Sequence, residues 1–94
     1  MQDGDFEWDD AKAATNLAGH AVSFEDARRA FDDAFAAARE DTREDYGEHR
    51  FVLLGMVGDR LLVVTYTMRD QRTRIISARL AQPRERRRYH EENS

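Results

Sequence analysis

The segment Arg72–Leu80, RTRIISARL, constrains the fold more than any other stretch of this chain. Ile75 and Ile76 are β-branched, which favours an extended backbone whose successive side chains point to opposite faces. Strict alternation places Arg72, Arg74, Ile76, Ala78 and Leu80 on one face and Thr73, Ile75, Ser77 and Arg79 on the other. Both faces carry apolar groups, and both carry arginine. Such a strand is expected to complete a core while presenting charge at a rim or cleft. Its backbone then needs partner strands on the sequence around it.

Those partners come just before it. Residues 49–57 read as a strand. Gly58-Asp59 is a two-residue hairpin turn that needs a positive φ at its first position, and residues 60–68 return antiparallel. Gly55 is expected to mark either a bulge or a close packing contact. Residues 69–71 turn the chain again, so Arg72–Leu80 is the third strand of a meander.

The flanks read as helices. Asp9 or Asp10 caps a helix reaching about Ala18, with Ala11, Ala14, Leu17 and Ala18 as its apolar stripe and Gly19 as its stop. Ser23 caps a second helix that ends at Asp32 or Asp33 and buries Phe24, Ala27 and Phe31. Ahead of both, Phe6-Glu7-Trp8 fits a short strand or an apolar plug. Residues 34–39 fit a helix or a short edge strand, and residues 40–48 read as loop. Pro83 suits the first position of a last helix, Pro83–Glu92. The expected architecture is a single α+β domain over residues 1–94: two N-terminal helices, an antiparallel β-meander and a short C-terminal helix.

Composition narrows the function. The chain has no cysteine, which excludes a disulfide framework and a thiolate metal site. His20, His49 and His90 share no metal-ligand spacing, so neither a metal nor a cofactor is expected. There is no run of 18 apolar residues and no signal-peptide core, so no membrane association and a cytoplasmic address are expected. The net charge of −4 is unevenly spread. Residues 1–47 hold 13 acidic and 5 basic groups; residues 48–94 hold 6 and 10. Fourteen of the fifteen basic residues are arginine, whose fork matches phosphate and carboxylate. The C-terminal half therefore points to a polyanion or an acidic partner, or else to an ordinary solvated surface.

Several segments together resemble the BrnT family, toxins of bacterial type II toxin–antitoxin pairs: FEWDDAKAATNL at 6–17, VSFEDA at 22–27, HRFVLLG at 49–55, RIISAR at 74–79 and RERRRY at 84–89. The resemblance spans nearly the whole chain in the right order. It implies a RelE-like fold and endoribonuclease activity. It also implies neutralisation by a BrnA-like antitoxin with a ribbon–helix–helix domain, in a 2:2 heterotetramer that meets operator DNA only through the antitoxin. The chain departs from the family at Gly19-His20-Ala21, where Lys-His-Gly is common, and at Gln82, where Ser or Thr usually caps the last helix.

Cleaving RNA without a metal needs a base for the 2′-hydroxyl proton, positive charge for the phosphate and an acid for the leaving oxygen. RelE-like toxins resemble one another in using Arg, Lys and Tyr for this work. The counterparts implied here are Arg79, Arg50 and Arg74 on the meander and Tyr89 on the last helix. For Arg79 the alternative is an ion pair with the acidic N-terminal half. Arg50 adjoins Glu48 and His49 in a potential polar cluster. His20 is a candidate base because histidine titrates near neutrality, although a histidine after a helix also suits a free carbonyl. Lys12, Arg72, Arg84, Arg86, Arg87 and Arg88 are candidates for binding the RNA backbone. A second reading is a RelE-like domain that does not cleave and acts with its antitoxin as a transcriptional co-repressor.

Overall fold

The three apolar runs pair in chain order, as their short turns require. The computed structural model describes residues 1–93. Its strands are β1 (Gln2–Asp3), β2 (Phe6–Glu7), β3 (Ala37–Asp41), β4 (Arg50–Val57), β5 (Arg60–Arg69) and β6 (Arg72–Leu80). Its helices are α1 (Asp10–His20), α2 (Phe24–Arg29) and α3 (Pro83–Glu92), with a single 3₁₀ turn, Ala30–Asp32, after α2. The architecture is α+β. One six-stranded sheet has the order β1-β2-β6-β5-β4-β3, and β2 runs parallel to β6 while the other neighbours are antiparallel. The meander β4–β5–β6 is thus extended at both edges. Gly58 takes φ 63° in the β4–β5 turn, the left-handed conformation that turn demands.

One face of the sheet carries the main core. Leu53, Val57, Leu62, Val64, Ile75 and Ala78 meet Trp8, Val22, Phe24, Ala27 and Ala30 from the helical side. Trp8 and Phe24 pack edge to face with ring centroids 5.9 Å apart, and each large apolar side chain so buried contributes about 1.5–3 kcal/mol. Gly55 is a close packing contact and not a bulge. A Cβ there would stand 2.5 Å from the Ala30 carbonyl oxygen.

The bulge lies in β6. Tyr66 pairs with Ile75 and Thr65 with Ser77, so Ile76 has no partner across the ladder. This extra residue overturns the strict alternation expected for the segment. Ile75 and Ala78 both reach the helical core, while Arg74, Ser77 and Arg79 share the opposite face with Thr67, Thr65 and Val63 of β5.

Helix α1 also departs from expectation. It runs through Gly19 to His20 and ends at Ala21, whose φ of 57° is left-handed and whose N–H donates to the Leu17 carbonyl. The expected stripe of Ala11, Ala14, Leu17 and Ala18 is exposed, Leu17 by 52%. Asn16 is buried instead. Its Nδ2 donates to the carbonyls of Val22 and Ala78 at 2.9 and 2.8 Å, and its Oδ1 accepts from the Ala78 N–H at 3.0 Å. The side-chain amide takes the place of a strand at the outer edge of β6, and that bonding sets the rotation of the helix. At the far edge, β3 extends to Asp41, so strand replaces the first two residues of the expected 40–48 loop.

Helix α3 packs on the other face of the sheet but covers only one end of it. Tyr89 seats there among Leu54, Leu61 and Val63. The rest of that face is open.

Candidate active site

The open face is built from alternate residues of four strands in register. Arg39 and Asp41 of β3 stand opposite Val52 and Arg50 of β4, which stand opposite Thr65 and Thr67 of β5. Ser77 and Arg74 of β6 continue the same two rows, and Arg79 lies beside Val63. Together with α3, the row of Arg39, Val52, Thr65 and Ser77, with Asp41, Val63 and Arg79 beside it, encloses a cleft of about 450 Å³. Val52, Val63, Thr65 and Ser77 form its floor. Arg39, Asp41 and Arg43 form one wall, and Arg79, Arg84 and Glu85 form the other.

Each wall is fixed by a two-pronged ion pair. Arg79 donates from Nη1 and Nη2 to Oε1 and Oε2 of Glu85, both at 2.8 Å, and Nη1 also reaches the Leu80 carbonyl at 3.2 Å. The Arg79 hydrogen bonds hold the Glu85 carboxyl below its ordinary range, and Glu85 in turn raises Arg79. Across the cleft, Arg43 donates from Nε and Nη2 to Asp41 at 2.9 and 2.8 Å, and the Tyr46 hydroxyl adds a bond of 3.2 Å. These contacts, led by those from the Arg43 side chain, lower Asp41 to about 2. Arg43 lies close enough for its charge to oppose that of Arg79. Arg39 and Arg84 have no ion-pair partner among the described residues. The cleft thus sets four arginines against three carboxylates, with Arg39 and Arg84 left uncompensated, over a floor of two valines and two hydroxyls.

The same face continues past the cleft to Arg50 and Arg74. Arg74 pairs with Glu7 of β2 at 2.6 Å. Arg50 lies over the Tyr46 ring at 4.2 Å and approaches Glu48 at 3.5 Å, yet its buried Nε makes no hydrogen bond. Glu48 also approaches Arg69 at 3.7 Å. It is Arg74, rather than Arg79, that pairs with the acidic N-terminal half.

The remaining candidates lie elsewhere. Tyr89 is buried, and its hydroxyl donates to Asp33 Oδ2 at 2.5 Å. Burial, then that carboxylate, pushes Tyr89 up to about 12. Lys12 and His20 line an open groove between α1 and Ile76, on the helical side of the sheet. Arg72 donates from Nε to the Gly4 carbonyl at 3.2 Å. Arg86 and Arg87 are exposed on α3, and Arg88 pairs with Glu92 at 3.1 Å. Among the described residues no three or more His, Asp or Glu side chains are grouped to hold a metal ion. No described helix is long and apolar enough to cross a membrane.

Sequence reasoning passed over Arg39, Asp41, Arg43 and Glu85. Arg39 and Asp41 stand two apart on one face of β3, while Arg43 lies in the loop beyond it, as expected for 42–48, and nothing local announces its fork on Asp41. Glu85 reads from sequence as a favourable charge at a helix start, and nothing local announces its pairing with Arg79.

A family model described as ribonuclease toxin, BrnT, of type II toxin–antitoxin system matches residues 8–85. The chain belongs to this family. No curated protein matches it. The match spans both core helices, the whole meander and the first turn of α3, and it ends at Glu85. As a BrnT toxin of a type II pair, the protein has RNA as its target and an antitoxin as its partner.

Proposed function

We propose that the toxin is a metal-independent endoribonuclease of RelE-like layout that holds the RNA backbone in the open-face cleft. The observation that carries this reading is the convergence of Arg39, Arg43, Arg79 and Arg84 on one cleft floored by Thr65 and Ser77. Arg39, Arg84 and the open edge of Arg79 supply there the positive charge that a pentavalent phosphate needs. Arg79 is the central phosphate ligand. Glu85 occupies its Nη1/Nη2 edge, and the Nε/Nη2 edge keeps a second fork for a phosphate. Arg50 and Arg74 extend the track for the strand beyond the scissile bond. Tyr89 acts at a distance by seating α3, and with it Arg84 and Glu85, against the sheet. Lys12 and His20, on the other face, take no part in this site.

The partner in this proposal is a BrnA-like ribbon–helix–helix antitoxin, acidic where it covers the cleft, in a 2:2 assembly that contacts operator DNA through the antitoxin. The rival reading, a toxin fold that binds without cutting, draws on the ion pairing of Arg50, Arg74 and Arg79 to Glu48, Glu7 and Glu85. One experiment separates them. Purified protein is incubated with total RNA in EDTA, with Arg79→Ala alongside. Cutting that survives EDTA and is lost in the variant supports the enzyme. A fully active Arg79→Ala variant refutes this site.

A further inference from the structure

An RNA-cleaving cleft needs a proton acceptor, and three carboxylates line this one: Glu40, Asp41 and Glu85. Glu40 points out along β3 and meets His49 at 3.0 Å. Asp41 is enclosed, its side chain 3% exposed. It accepts from the Arg43 N–H, Nε and Nη2 and from the Tyr46 hydroxyl, which fills the roughly four lone-pair sites of a carboxylate. Glu85 is different. Oε1 accepts from Arg79 Nη1 and from the Gln82 N–H at 2.8 Å, whereas Oε2 accepts only from Arg79 Nη2. One acceptor site on Oε2 stays open, on a side chain 19% exposed in the cleft wall.

Geometry makes that site useful. A phosphate taking the Nε/Nη2 edge of Arg79 shares Nη2 with Glu85, so the phosphate oxygen and Oε2 are held side by side on one nitrogen. The 2′-hydroxyl next to that phosphate then faces a fixed carboxylate. We propose that Glu85 is the general base of this toxin, a proposal that rests on the ribonuclease reading of the cleft. Oε2 takes the 2′-hydroxyl proton and the 2′-oxygen bonds to phosphorus. The bond from phosphorus to the 5′-oxygen breaks, and the leaving oxygen takes a proton from water. The products are a 2′,3′-cyclic phosphate and a 5′-hydroxyl. The charged groups around Glu85 are Arg79 on β6, Arg84, Arg88 and Glu92 on α3, Arg39, Glu40 and Asp41 on β3, and Arg43 in the loop after it. The cations keep the carboxylate ionised at neutral pH. Its proton affinity rises when a phosphate draws on the Arg79 charge.

The test measures the cleavage rate from pH 3 to 9, a range that reaches below the ordinary carboxylate value because Arg79 lowers Glu85, for the full chain, Glu85→Gln and Glu85→Asp. Naked total RNA and translating ribosomes in a cell-free extract serve as substrates. Wild type should show a rate that rises with pH in the carboxylate range and then levels. Glu85→Gln keeps an oxygen for the Gln82 N–H and should lose roughly 100-fold or more of the rate together with the acid limb. Glu85→Asp should restore the limb at a lower rate. A Gln variant that cuts normally, or one that slows but keeps the same limb, overturns the base assignment. In the second case Glu85 merely positions Arg79. If Glu85→Gln fails to fold, the wild-type profile decides, because a rate flat through the carboxylate range also refutes the proposal. Wild type that cuts neither substrate refutes the ribonuclease reading itself.

Discussion

Replacing Asn16 with alanine removes three buried hydrogen bonds at once: to the Val22 carbonyl, the Ala78 carbonyl and the Ala78 N–H. Ala78 sits opposite Val64 but turns its own N–H and carbonyl away from β5, toward α1. Among the described residues no other strand covers that edge, since β2 pairs with β6 only at Thr73 and Arg74. At about 1 kcal/mol for each hydrogen bond, the loss is about 3 kcal/mol. For a domain of this size each kcal/mol lowers Tm by roughly 4–8 °C, so a fall on the order of 15 °C is expected. Thermal unfolding followed by circular dichroism measures it. Amide exchange provides a local check, because the Ala78 N–H should lose protection well before the amides of Leu62 or Val64. A fall of less than about 3 °C with Ala78 still protected would show that Asn16 does not serve as the edge of β6. Stability and function meet here, since Ser77 and Arg79 flank Ala78 and would be displaced with it.

The remaining expectations follow from single contacts. Ala21→Gly should raise stability by about 1 kcal/mol, because Ala21 holds φ 57° at a helix end where glycine bears no Cβ penalty; an unchanged or lowered Tm counts against this. Tyr89→Phe should cost about 1.5–3 kcal/mol through the lost bond to the Asp33 carboxylate, yet leave RNA cleavage within about threefold. A large drop in rate at a normal fold would place the hydroxyl in the chemistry after all. Asp41 is lowered from 3.8 to about 2, so its ionised form is favoured by folding. That contribution is present above about pH 4 and disappears as pH falls toward 2. Asp41→Asn should therefore be less stable than wild type at pH 7 and match it near pH 2; parallel pH curves would refute the pairing.

Punctuation made the meander and the last helix legible. Gly58-Asp59, Ser23 and Pro83 each have one favoured structural use, and each is found in it. The burial of α1 was not legible, because alanines at helical spacing read as a core stripe whether or not a sheet lies beneath them. A buried asparagine shows itself only once the free edge of β6 is known. The cleft was half legible. Arg79 and Arg84 stood out as arginines on an apolar strand and a basic helix. Their neighbours Arg43 and Glu85 were masked by equally good local roles in a loop and a helix start. Tyr89 shows the opposite failure. An amphipathic helix fixes that a tyrosine is buried or exposed, and only its contact with Asp33, 56 residues away, shows which.

The placement of Arg79 depends on one residue that local pattern conceals. With strict alternation from Ile75, Arg79 would share the face of Ile75 and enter the helical core. With Ile76 unpaired, Ser77 falls opposite Thr65, Ala78 opposite Val64 and Arg79 opposite Val63, on the cleft side. Bulges beside functional sites commonly re-aim a side chain in this way. Deleting Ile76 tests the account, because removal of the extra residue leaves a regular strand with every other side chain on its present face. The deletion variant should fold, with a loss of about 1 kcal/mol for a half-buried apolar side chain, and Arg79 should still meet Glu85. Deleting Ala78 instead would turn Arg79 toward Val64 and bury an unpaired guanidinium, and that variant should not fold. Measured side by side by thermal unfolding, the two deletions give opposite outcomes if the bulge is real. Were Ile76 an ordinary ladder residue, deleting either residue would shift the register by one and flip every later side chain to the other face, so the two variants would lose stability alike.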